Sequence, residues 1–268
     1  MIINSGRFLQ RAEVWFDELP SAPADIVVFK QAPIPVPGAS CSDFYTLVID
    51  LEAEEEAIFS GFKKGTKYEI KRAETKDAIA CKSHSFDESK KVIGKFSDYY
   101  DQFAITKKLK LMDRAYLHKL ANAGLLDISH SASPEGANLT WHVYYRSDRR
   151  VRLLYSASLF RLDADSASRS LIGRANRFHH WADIIRFRAE NIKIYDFGGW
   201  YEGCSDPEKE KINNFKAEFG GVVVQNFNCV NVVSLKAKTL IWCKSMIEGL
   251  AKGFFAHSAM SASQGKVK

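Results

Sequence analysis

Residues 193 to 221, KIYDFGGWYEGCSDPEKEKINNFKAEFGG, gather the side chains best suited to chemistry. A short apolar run stops at Asp196-Phe197-Gly198-Gly199, an acidic loop follows, and an amphipathic run carries Phe215 and Lys216 before a second Gly-Gly pair. Glycines at the carboxyl end of a strand let the backbone turn sharply, or approach a ligand where a Cβ would block it. One helix later, Phe215 and Lys216 would face that same mouth. Asp196, ending its strand there, can take a proton or simply bond neighbouring amides. His142, on a strand among Trp141, Val143 and Tyr144, is a second candidate proton acceptor, although a histidine so placed is more often a hydrogen-bonded structural residue. His179 and His180, beside Trp181, read as packing or capping contacts.

Anion binding is the other chemistry in view. Ten of the fourteen arginines fall between Arg146 and Arg188, a window without lysine. Arginine's planar fork suits bidentate contacts with phosphate or carboxylate, and solvated strand-edge arginines explain half or more of such a cluster. Arg174 and Arg177 fall in the first turns of a helix expected to begin near Leu171, within reach of a phosphate at its amino terminus. Lys63, Lys64, Lys67, Lys71, Arg72 and Lys76 crowd one turn and the following helix. No His-x-x-x-His or Glu-x-x-His grouping appears, so no metal is expected. The five cysteines are scattered, without a C-x-x-C pair, and are expected as buried thiols rather than a disulfide framework.

The elements that must position these groups follow from pattern and length. The chain has 268 residues, 46% of them hydrophobic, enough for one large domain or two small ones. A net charge of +6 is modest for that size, and DNA is not an expected partner. No stretch reaches the ~18 apolar residues of a membrane span, and no leader pattern opens the chain, so the expected location is the cytoplasm, including the inner face of the membrane. Early strands are read at 26–30 and 45–51, with a short helix at 52–62. From residue 78 the order is strand, two helices, three strands, helix, strand, helix, strand. Asp87 and Asp113 are helix caps, and the last two of the three consecutive strands form a hairpin. That order is a mixed α/β layer, not a doubly wound nucleotide fold. A parallel pair of strands near Tyr155 and Tyr195 that splays apart would admit a ligand between them.

The element order resembles the GNAT fold of acyl-CoA N-acyltransferases. WHVYYRSDRRVRLLYSAS, GRANRFHHWADIIRF and YDFGGWYEGCSDPEKEKINNFKAEFGG, with the basic helix FKKGTKYEIKRAE, more closely resemble the FemAB-like branch, acyl and aminoacyl transferases of peptidoglycan-bridge and envelope-polysaccharide precursors. Such proteins carry two GNAT-like halves. The resemblance therefore implies a reduced first half at 1–77 and a GNAT-like transferase domain at 78–235. A basic amphipathic helix at 236–256 could pack on its own domain or touch a membrane surface, and a disordered tail follows at 257–268.

The resemblance assigns the donor site to Phe215, Gly198 and Gly199, with Lys216 stabilising the charge that builds as the acyl group moves. Gly173, with Arg174 and Arg177, matches the glycine of the GNAT phosphate turn, but Ser170 stands where arginine or glutamine belongs. The remaining assignments are Asp196 and His142 for proton transfer, and Lys67, Lys71 and Arg72 for phosphates of acceptor or donor. The implied co-substrate is acyl-CoA or aminoacyl-tRNA, with no permanently bound cofactor. The implied acceptor is an amino sugar or peptide, which can be lipid-linked, and the reaction is amide formation. The alternative from another class is a catalytically inert GNAT-like module that binds RNA or an anionic glycan.

Overall fold

A computed structural model describes residues 1–6, 8–84, 86–159 and 165–243. The chain forms two compact units, one of residues 1–43 with the segment from 226 onward, the other of residues 44–225. The expected boundary at residue 77 falls inside the second unit.

In the first unit, β1 (Ile2–Ser5) pairs antiparallel with β2 (Gln10–Trp15), which runs parallel to β3 (Ile26–Ala32). The two strands before residue 20 were not expected from the pattern. Of these strands, Ala12 and Val14 join Val27 of β3 in a small apolar cluster, too short a signal to stand out from irregular chain. Cys41 and Cys229 are joined as a disulfide, which corrects the expectation of thiols only. The two residues are 188 apart in sequence, and no local spacing announces such a pair.

The second unit holds the site. β4 (Ser40–Asp50) leads into α1 (Glu55–Ser60) and α2 (Lys64–Thr75), the short helix expected at 52–62 and the basic helix expected after it. The expected run then follows as β5 (Ala80–His84), α3 (Phe86–Lys107), α4 (Arg114–Asn122), β6 (Leu126–Ala132), β7 (Asn138–Arg146), β8 (Arg150–Ser158), α5 (Ser166–Ala189), β9 (Ile194–Gly199), α6 (Pro207–Ala217) and β10 (Val222–Val232). Local chemistry sets several ends. Asp113 caps α4 by accepting from the Tyr116 amide at 2.9 Å. Asp206 caps α6, with Pro207 in the first turn where its missing N–H costs nothing.

The strand order here is β4-β9-β8-β7-β6-β5. β6, β7 and β8 are an antiparallel meander, and β8 lies parallel to β9, as the βαβ unit through α5 requires. Alternation divides the sheet. Thr140, His142 and Tyr144 of β7 turn toward α5, where they bond its side chains. Trp141 turns toward α3 and meets Phe96 and Tyr99 in tilted ring contacts. The α5 face holds the main core, in which Tyr144, Tyr195, Phe187 and Phe219 are almost fully buried.

Candidate functional site

β8 and β9 part at the place where chemistry was expected. Parallel pairing joins Arg150 to Ile194, Val151 to Tyr195 and Arg152 to Asp196. Among the described residues it extends no further, although β8 runs on to Ser158 and β9 to Gly199. The end of β9 instead follows its other neighbour: Gly199 pairs with Thr46 of β4, and the Trp200 amide donates to the Tyr45 carbonyl at 2.7 Å.

Asp196 fixes this fork. Its carboxylate is fully buried and accepts from Thr46 on β4, from the Gly198 amide at 2.7 Å, and from Arg150 on β8 at 2.7 and 3.1 Å. A carboxylate saturated by donors from both flanking strands is a strut, so the structure does not present Asp196 as a base at the mouth. Gly198 has φ of +75°, and a Cβ there would lie 3.0 Å from the Leu153 carbonyl oxygen. The close approach that a Cβ would block at Gly198 is thus to the β8 backbone rather than to the expected ligand.

Lys216, on the last turn of α6, closes the end of β9. It is only 8% exposed, and its ammonium donates to the Gly198 carbonyl at 3.1 Å and to the Gly199 carbonyl. Burial pushes its pKa down to about 8, with Asp196 opposing that shift and Arg152 adding to it. An ammonium has three donors, and these two carbonyls take two of them. Phe215 is half-buried, with its ring 5.2 Å from the Arg177 guanidinium and 5.6 Å from His180. Beside these groups lies a cavity of about 260 Å³ lined by Gly199, Trp200, Tyr201, Lys209, Ile212 and Asn213.

The fold that carries these groups is similar to solved structures. FemX superposes with a TM-score of 0.60 at 10% identity, over 77% of this chain and 72% of that one. L-PGS from Bacillus licheniformis gives 0.52 at 13% identity, over 88% and 84%. The fold is like that of FemX and L-PGS. The C-terminal domain of an Agrobacterium fabrum protein described as a lysylphosphatidylglycerol synthetase gives 0.51 at 12% identity, over 80% and 70%. No protein-family model matches the chain, and no curated protein matches it by sequence.

Within this fold, the other expected residues are placed differently. α5 begins at Ser166, capped by Asp165, which accepts from the Ser168 amide at 2.8 Å. Its start is therefore five residues earlier than expected, and Gly173 lies in the helix interior, past the four amides that a helix leaves free. The expected phosphate turn at Gly173 does not form. Arg174 is paired with Asp77, and Arg177 with Glu69 at 3.0 Å and Glu218 at 2.8 Å. Arg146, Arg150, Arg186 and Arg188 also have carboxylate partners, so much of the arginine-rich window ties elements together. On α2, Lys67 donates to the Ser60 carbonyl at 3.1 Å, Lys71 lies 5.8 Å from the Phe59 ring, and Arg72 lies 3.9 Å from Asp77. The expected amphipathic helix is described only as far as residue 243, and the tail at 257–268 lies outside the described residues.

His142 belongs to a buried polar network that the sequence did not announce. Asp183 accepts from His142 at 3.0 Å, Ser129 at 2.9 Å and Tyr144 at 2.8 Å, and Arg186 reaches its other oxygen at 3.3 Å. Burial alone would raise the Asp183 pKa, but the surrounding donors and the Arg186 charge hold it well below the usual carboxylate range. Since Tyr144 spends its hydroxyl proton on Asp183, Tyr195 donates to Tyr144 at 2.8 Å and in turn accepts from His180 Nδ1 at 2.7 Å. Burial holds His179 and His180 well below the usual histidine value. His142, enclosed on α5's inner face, reinforces the sheet and does not meet the mouth.

His142, His179 and Asp183 offer three atoms within 4.8 Å of one another, a spacing compatible with a metal ion. The two imidazoles are stacked 3.8 Å apart and nearly parallel, at 4°. A metal must lie close to the plane of each ring it binds, about 2.1 Å from the nitrogen. Parallel planes this far apart share no such point, so the trio suits hydrogen bonding rather than coordination.

Proposed function

We propose that this protein transfers an acyl or aminoacyl group to an amine, forming an amide. The observation that carries this reading is the buried Lys216 ammonium at the end of β9, just beyond the point where β8 and β9 cease to pair. A donor thioester or ester lying in that fork would bring its carbonyl oxygen to the remaining Lys216 donor. A neutral amine attacks the carbonyl carbon, and the new oxyanion is met by a cation already in place. Collapse expels the thiol of CoA or the terminal hydroxyl of a tRNA, and the amine's extra proton leaves to solvent or to the departing group. Asp196 and Arg150 contribute by holding the fork open.

The donor is acyl-CoA or aminoacyl-tRNA, and the acceptor is an amino sugar or peptide of an envelope precursor. The cavity lined by Trp200 and Tyr201 beside Gly199 is suited to such a polar, ring-bearing acceptor. The pairing of Arg174, Arg177 and their neighbours with carboxylates favours this reading over an inert RNA- or glycan-binding module. Transfer of radiolabel from each donor class to amino-sugar nucleotides and lipid-linked precursors tests it. Incorporation that disappears in Lys216→Ala supports the reading. No incorporation from either donor, in folded protein, overturns it.

A further inference from the structure

The opposite face of the sheet carries a second concave site, sharing no lining residue with the cavity beside Gly199. In the strand register Lys82 of β5 stands opposite His130 of β6, and His130 opposite Trp141 of β7, so the three side chains lie in a row on the α3 side. His84, two residues along β5, shares their face. α3 supplies Lys91 and Lys95 across from them, and together these groups line a cavity of about 320 Å³.

Three properties of this cavity point to one kind of occupant. Among the described residues its walls bring together three lysines, Lys82, Lys91 and Lys95, and one carboxylate, that of Glu88. Like charges gathered in a concave, partly dry site focus a positive potential that draws in an anion. The donors are also in excess. Trp141 is 2% exposed, and its buried indole N–H has no hydrogen-bond partner, an arrangement that native proteins usually resolve with water or a ligand. His84 and His130 share a 2.9 Å hydrogen bond. Burial first holds both imidazoles below the usual value, helped by Lys82 and Lys95 and, for His130, before these by His84, with His130 at about 4, so they add no charge of their own at neutral pH.

The third property is shape. His84 stacks on His130 with centroids 5.0 Å apart, and His130 on Trp141 at 4.7 Å, giving one flat wall. The volume is at the lower end for ligand sites, too small for a whole CoA or a nucleic acid.

We propose that this cavity binds a small phosphate monoester, a sugar phosphate in size and polarity. Its phosphate is held by Lys82, Lys91, Lys95 and the Trp141 N–H, and its carbon body rests on the imidazole–indole stack. A phosphate dianion matches three ammoniums and an N–H better than a carboxylate does, because it offers three terminal oxygens and twice the charge.

Indole N–H resonances read this directly, since the chain has five tryptophans and Trp141→Phe identifies the one that matters. Glucose 6-phosphate, inorganic phosphate and glucose are titrated into the full chain. The expected result is a saturable shift of the Trp141 resonance by glucose 6-phosphate and none by glucose, with affinity falling roughly tenfold in Lys95→Gln, an exposed helix position that folds without its charge. Binding should also weaken steadily with salt. A Trp141 resonance unmoved by the sugar phosphate overturns the proposal, as does a shift of equal affinity in Lys95→Gln. Equal affinity for inorganic phosphate and the sugar phosphate overturns the monoester assignment.

Discussion

The Lys216 ammonium and the Gly198 carbonyl are 3.1 Å apart, which joins the end of α6 to the end of β9 at the mouth of the strand fork. That contact makes the lysine both a clasp and a buried cation. Lys216→Ala should lower transfer by about 100-fold or more, the loss seen when one preorganised oxyanion donor is removed. Initial rates of radiolabel transfer at saturating donor measure it.

The same lysine sets a pH dependence. Its folded pKa of about 8 is below the ordinary 10.5, so between those values the unfolded chain binds the extra proton and the folded one does not. Burying the charge therefore costs stability at neutral pH, and the cost is relieved as pH rises from about 8 toward 10.5. Activity moves the other way, because the neutral amine no longer meets the oxyanion. The pH–rate profile should descend near pH 8, and in Lys216→Arg, whose guanidinium stays charged, any residual activity should lack that limb.

Three glycines separate backbone demand from ligand binding. Gly198 has φ of +75°, and a methyl added there would meet the Leu153 carbonyl oxygen at 3.0 Å; Gly221 has φ of +83°, and its added methyl would meet the Val48 carbonyl oxygen at only 2.4 Å. Gly198→Ala should cost on the order of 1–3 kcal/mol, and Gly221→Ala more, because left-handed strain and backbone overlap add together. Gly173 is helical and open, its nearest neighbour being the end of the Arg177 side chain at 3.8 Å. Gly173→Ala should therefore stabilise by about 0.5–1 kcal/mol and leave transfer intact. Urea unfolding with parallel activity assays measures both, and lost activity in Gly173→Ala would reinstate a phosphate turn there.

What the sequence made legible was whatever has a local cause. The order from β5 to β10 follows from hydrophobic period and caps, as with Asp113 before α4. The fork was readable because Asp196-Phe197-Gly198-Gly199 ends a strand with two glycines. What escaped depends on residues distant in sequence. Asp196 looks equally like a base or a strut until Thr46 and Arg150 are seen to flank it, and Arg177 looks free until Glu69 and Glu218 meet it. The α5 start was misjudged because the apolar stripe begins at Leu171, while the first turns from Ser166 are polar and held by a cap. His142 and Asp183 lie on different elements, 41 residues apart, and only the packing of α5 against β7 brings them together.

Asp183 should give acid sensitivity. Its folded pKa is depressed, so its contribution to stability is present above the ordinary carboxylate value near 4 and is lost as pH falls through and below it. Asp183→Asn removes that contribution and leaves Arg186 short of a partner within the core. A loss of about 3–5 kcal/mol at pH 7 is expected, as when a buried pair is broken, and it should narrow toward pH 3. Melting temperatures of both proteins across this range measure it, and parallel pH curves would show that Asp183 is not ionised in the fold.

The disulfide gives a chemical count. With Cys41 and Cys229 joined, Cys81, Cys204 and Cys243 are the free thiols, so protein denatured without reductant should titrate three thiols, and five after reduction. Burial pushes the Cys81 thiol well up, so it should react slowly in the folded chain while exposed Cys204 and Cys243 react first. Closing a loop of 188 residues restricts the unfolded chain, by an entropic ceiling of about 5 kcal/mol. Reduction should lower the melting temperature, and Cys41→Ser should reproduce that drop and make the protein insensitive to reductant. Five thiols titrating at the outset would show that the pair is reduced under the conditions of isolation. The stability of the first unit would then rest on its β-sheet pairing and the small cluster around Val14.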